Sequence, residues 1–200
     1  MEKKSVLKKY PLWFELLAGA AFGALNSVLS TFFVDVKSPI FMDTIFAVTA
    51  AFLGWWSGAA SVAVFAVMSA LKSPEGARLV SALFTLCVLA MVLIVRLVYK
   101  KRERVSFISL FYVYVLCVFF VSAIGAAIAT YAFSRFSYPD SYSIKYITLM
   151  FATQHIPLMF SAFLSRVPVN ALDKLIAVFA GWSLYLFVEK LFFKAKILRG

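Results

Sequence analysis

Four stretches of this chain each hold about twenty strongly apolar, nearly uncharged residues, the length of helix that crosses a bilayer's hydrocarbon core. Two shorter apolar stretches lie between the first and second of them. The pattern predicts helices over residues 12–33, 40–53, 57–71, 79–99, 107–133 and 169–193. Between them fall strong breakers: a loop ending in Pro39, a Gly54-Trp55-Trp56 turn, and the cluster Lys72-Ser73-Pro74-Glu75-Gly76. Two polar segments follow, Lys100-Lys101-Arg102-Glu103-Arg104 and residues 134–145. The expected fold is an all-α integral membrane protein: a bundle of six transmembrane helices in a single domain over residues 1–200.

Residues 146–164 are also apolar, but they contain Gln154, His155 and Pro157. Charge decides how to read them, because lysine and arginine stay cytoplasmic in short loops. With six spans, one side holds Lys3, Lys4, Lys8 and Lys9, the Lys100–Arg104 cluster, and Lys190, Lys194, Lys196 and Arg199. The other side holds only Lys37, Lys72, Arg78, Arg135, Lys145 and Arg166. A seventh span would put the basic tail on the wrong side. The segment is therefore expected as an outer-face helix or re-entrant stretch before the last span, with both termini cytoplasmic in a cell membrane.

Composition agrees. The chain is 64% hydrophobic and 14% charged, against about a quarter charged in soluble domains, and its mean hydropathy is +0.93. The net charge of +11 sits beside the apolar runs, where it serves topology and anionic lipid rather than nucleic acid. Cys87 and Cys117 each lie inside an apolar run and give neither a disulfide framework nor metal spacing. The first apolar run is longer than a signal-peptide core, so it is expected as a retained helix.

Polar side chains at membrane depth are costly and mark functional sites. Here they are Asn26, Asp43, Gln154, His155, Asn170, Asp173 and Lys174, all expected in the outer half of the bundle. Acidic and basic groups facing outward suit capture of a small polar molecule, which can supply partners that buried charges need. Each also has a structural alternative. Asp43 and Asp173 could be first-turn residues favoured by the helix dipole, and Lys174 could snorkel or pair with Asp43. Asn26 could bridge helices, and His155 could be a buried hydrogen bonder. No serine-protease triad, HExxH or phosphate-binding glycine loop is present, so an enzyme is not expected, and no metal or cofactor is implied. On the first helix, Gly19, Ala20, Gly23 and Ala24 place small residues four apart. Such a face suits either packing within the chain or docking of a partner subunit.

Two passages carry a family resemblance. The run from Ser38 to Gly58, SPIFMDTIFAVTAAFLGWWSG, resembles the second-to-third helix passage of substrate-binding S components of energy-coupling factor vitamin transporters. VPVNALDKLIAV, from Val167 to Val178, resembles the start of the last helix in S components and related sensor membrane domains. The resemblance implies capture of a vitamin or vitamin precursor near the outer face by a six-helix protein. It also implies docking, through Ala20 and Ala24, to a transmembrane coupling subunit with two cytoplasmic ATPases. A membrane sensor module using the same outward site is the alternative it leaves open. The long connection over residues 134–166 departs from the family pattern.

Overall fold

The computed structural model describes residues 10–36, 40–100, 105–135 and 143–197. Lys37, Pro39 and the basic residues at 3–9, 101–104 and 199 lie outside these, so the charge asymmetry is described only in part. All regular structure among the described residues is helical. The helices are α1 (Leu12–Asp35), α2 (Ile45–Leu53), α3 (Trp55–Lys72), α4 (Arg78–Tyr99), α5 (Phe107–Arg135), α6 (Ser143–Thr153) and α7 (Leu158–Ile197). A single 3-10 turn, Glu75–Ala77, joins α3 to α4. Five of the helices (α1, α3, α4, α5 and α7) are long and apolar enough to cross a membrane. The chain is a multi-pass membrane protein.

α2 is the exception that organises the rest. Its nine residues span about 13 Å, under half of a bilayer core. Every residue except Phe46 is buried, because α2 packs against α1, α3, α4 and α7 at once. The helix expected from residue 40 starts five residues late. Residues 40–44 are non-helical, and Met42 adopts φ 50°, a left-handed conformation that a side chain occupies only under constraint.

Close approaches fix the helix directions. A Cβ on Gly19 would lie 2.3 Å from the Ser57 carbonyl oxygen, and one on Gly23 would lie 2.5 Å from that of Ser61. Further along, the Lys72 ammonium reaches Thr31 Oγ1 at 2.9 Å. α3 thus runs beside α1 in the same direction. Gly54 sits against the Glu15 carboxylate, so the chain between α1 and α3 returns to the end of the bundle where α1 begins. At that end Phe52 packs on Tyr99, Trp182 and Tyr185 with ring centroids 4.8–5.6 Å apart.

The last two helices differ most from expectation. α6, eleven residues long, covers part of the apolar 146–164 segment and, among the described residues, packs on α7 alone. α7 then begins at Leu158 rather than 169 and continues through Pro168 for forty residues. A proline inside a helix removes one backbone hydrogen bond, but here it does not end the helix. α7 packs on α5 on both sides of this proline, through Phe163 on Phe119 and Asn170 on Ser122, and on α6 through Ser165 and Thr148, so this packing outweighs that loss.

Candidate functional site

The early start of α7 moves its polar residues. Read as a first-turn residue, Asp173 instead lies fifteen positions into α7, where the helix dipole offers it nothing. It needs other partners, and it has them. Asp173 Oδ1 accepts the Met42 amide at 2.7 Å, and Oδ2 accepts from the Lys174 ammonium at 2.5 Å. Lys174 also donates to Asp43 Oδ1 at 3.1 Å and Thr44 Oγ1 at 3.2 Å. The left-handed turn at Met42 therefore presents three successive residues to α7: an amide, a carboxylate and a hydroxyl.

Asn26 holds this turn from the other side. Its Nδ2 donates to the Asp43 carbonyl, and its Oδ1 accepts the Phe46 amide at 3.1 Å. The second bond satisfies a free amide in the first turn of α2, a capping function normally served by the preceding residue. Thr44, which occupies that position, makes no capping bond because its hydroxyl faces Lys174.

The cluster is largely buried. The side chains of Lys174 and Asp173 are 2% and 0% exposed, while that of Asp43 keeps 25%. With α7 starting eleven residues earlier than expected, Asp173 and Lys174 lie roughly 16 Å further from its first residue.

Of the expected site residues, Asp43, Asp173 and Lys174 come together. Asn170, one turn earlier on α7, is buried and donates to Ser122 on α5 at 2.9 Å. Gln154 and His155 do not join them. Both are exposed in the turn between α6 and α7, with His155 at φ 61°. The small-residue face of α1 is divided. Gly19 and Gly23 are buried against the α3 backbone, so an internal contact occupies them, while Ala20 and Ala24 stay half-buried.

A second polar cluster, not anticipated from the sequence, lies at the Gly54 turn. Glu15 Oε2 accepts the Trp56 amide at 3.1 Å and so caps α3. Arg96 donates to the Ala51 carbonyl at 3.0 Å, near the end of α2, and stacks over the Trp55 ring at 5.2 Å. An ionisable residue inside an apolar run was the available signal for both Glu15 and Arg96. Among the described residues, no group of three or more His, Cys, Asp or Glu side chains is placed to hold a metal ion.

Comparison with protein-family models, curated proteins and solved structures gave no match.

Proposed function

We propose that this protein is the substrate-binding membrane subunit of a small-molecule importer, taking up a vitamin or vitamin precursor. The observation that carries the proposal is the Asp43–Lys174–Asp173 cluster, set among the apolar helices where the chain is broken ahead of α2. Ionisable groups buried among membrane helices are costly, and they mark substrate and ion sites. Interrupted helices beside such groups are a recurring device for binding small solutes in transporters.

In this reading the chain makes six passes, the second of them residues 40–53, with five residues unwound and nine helical. An even number of passes keeps both termini on one side, which the basic residues assign to the cytoplasm. The surface left for a coupling subunit is the half-buried Ala20 and Ala24 edge of α1, beside the exposed Leu17 and Val28. ATP hydrolysis would come from cytoplasmic partners.

Co-purification tests the assembly. The tagged protein should carry a coupling membrane protein and ATPase subunits, and Ala20→Leu or Ala24→Leu should reduce their recovery without changing the protein's own yield. Unchanged recovery in both variants removes this edge of α1 from the interface. Mass spectrometry of small molecules retained through purification tests the capture step. A retained compound should be lost in Asp43→Asn, and equal retention would place binding elsewhere.

A further inference from the structure

The hydrogen bonding of the cluster constrains the charge of what can bind there. An ammonium has three donors. Those of Lys174 have three acceptors within reach: Asp43 Oδ1, Thr44 Oγ1 and Asp173 Oδ2. Its side chain is 2% exposed, so it offers no free donor and no surface to an anionic ligand. Asp173 is 0% exposed, and its two oxygens serve Met42 and Lys174. Asp43 alone keeps accessible surface, 25% of its side chain. A carboxylate has about four lone-pair sites and can accept from a second donor while holding the first.

The balance of charge points the same way. Within the hydrogen-bonded cluster two carboxylates share one ammonium, and the carboxylate that keeps accessible surface is Asp43; the nearby buried cation, Arg166, donates to the Ala162 carbonyl of its own helix. An anion arriving at Asp43 meets like charge, whereas an N–H-bearing cation does there what the Lys174 ammonium already does. One accessible carboxylate is too little for a hard divalent metal, which takes about six oxygen ligands. Three residues beyond Asp43, the Phe46 ring stacks on Phe22 with centroids 6.0 Å apart, which places flat apolar surface on the adjoining turn.

We infer that the ligand is an organic cation carrying N–H donors, an amine, amidine or protonated heterocycle, which docks on Asp43 alongside Lys174. This rests on the ligand-capture reading above and narrows it from any polar metabolite to one charge class. A zwitterion, which the mixed charges suggest at first sight, would bring a carboxylate that finds no free donor among these three side chains.

The test uses the full-length protein in lipid nanodiscs and the small-molecule fraction of yeast extract. The extract is split into cation-exchange-retained, anion-exchange-retained and unretained pools. Melting temperature is read for the wild type, Asp43→Asn and Asp43→Glu, each first shown to be folded and monodisperse. The cation-retained pool should raise the wild-type midpoint by several degrees, leave Asp43→Asn unmoved and partly recover its effect in Asp43→Glu. Stabilisation by the anion-retained or unretained pool alone overturns the charge class while leaving ligand capture standing. Equal stabilisation of wild type and Asp43→Asn by the cation-retained pool overturns Asp43 as the docking group. No shift with any pool overturns ligand capture itself, and this inference with it.

Discussion

Replacing Lys174 by methionine keeps much of the side chain's volume and removes its charge, leaving two carboxylates facing each other. The cost can be bounded from the geometry. Interhelical hydrogen bonds inside membrane proteins average only about 0.6 kcal/mol, because the unfolded chain in the bilayer also finds partners. If the two bonds of Lys174 beyond α7, to Asp43 and Thr44, counted only in that way, the variant would lose about 1 kcal/mol. What it leaves behind matters more. Asp173 is fully buried and retains only the Met42 amide, and breaking a buried ion pair by removing one partner costs about 3–5 kcal/mol. Asp43 can hydrate through its exposed quarter, which favours the lower part of that range. At about 2–4 °C per kcal/mol for a chain of this size, Lys174→Met should melt roughly 6–20 °C below wild type. The informative comparison is the neutral variant Asp43→Asn/Asp173→Asn/Lys174→Met, which removes the stranded charges and should recover at least half of the loss. The assay is reversible unfolding in mixed detergent micelles, with helical circular dichroism as readout. A Lys174→Met loss under 1 kcal/mol, or a neutral variant no more stable than the single one, refutes the assignment of an ionised, mutually compensating cluster.

Other expectations follow from specific contacts. Gly23→Ala places a methyl 2.5 Å from the Ser61 carbonyl, so α1 and α3 must separate, at a cost of about 1–3 kcal/mol in the same unfolding assay. Ala20→Leu, at a half-buried position, should by contrast leave the midpoint within about 2 °C of wild type, since surface changes stay within ±0.5 kcal/mol. Asn26→Ala removes the cap on α2 and should cost about 0.5–2 kcal/mol, with Asn26→Asp recovering part of it through the acceptor for the Phe46 amide. Arg96→Met should change the tryptophan emission by removing the cation above Trp55, and an unchanged spectrum would count against that stacking.

The long helices were legible in the sequence because length and apolarity alone specify them, and packing adds little to that decision. The break before α2 was not. Ile40, Phe41 and Met42 read as helix like their neighbours. What unwinds them is Asn26 and Asp173, which are 17 and 131 residues from the groups they bond. No local pattern carries that information. Pro168 misled in the opposite sense, since a proline ahead of Asn170 and Asp173 has the form of a helix start. Contacts with α5 and α6 carry α7 straight through it. Asp43 and Lys174 could be paired from the sequence because two opposite charges stranded in apolar runs must find each other. His155 drew attention as the only histidine, but rarity is not burial, and it lies in an exposed turn. Gly19 and Gly23 read equally well as an internal or an external face until the position of α3 assigned them.

Accessibility of the cluster tests the account most directly. In a Cys87→Ala/Cys117→Ala background, which removes the two native thiols, Asp43→Cys, Asp173→Cys and Lys174→Cys can each be challenged in intact cells with a membrane-impermeant maleimide. The account predicts labelling at 43 from the outside and none at 173 or 174. Labelling at 43 only after permeabilisation, or equal labelling at all three positions in folded protein, would contradict an externally reached carboxylate backed by a sealed ion pair.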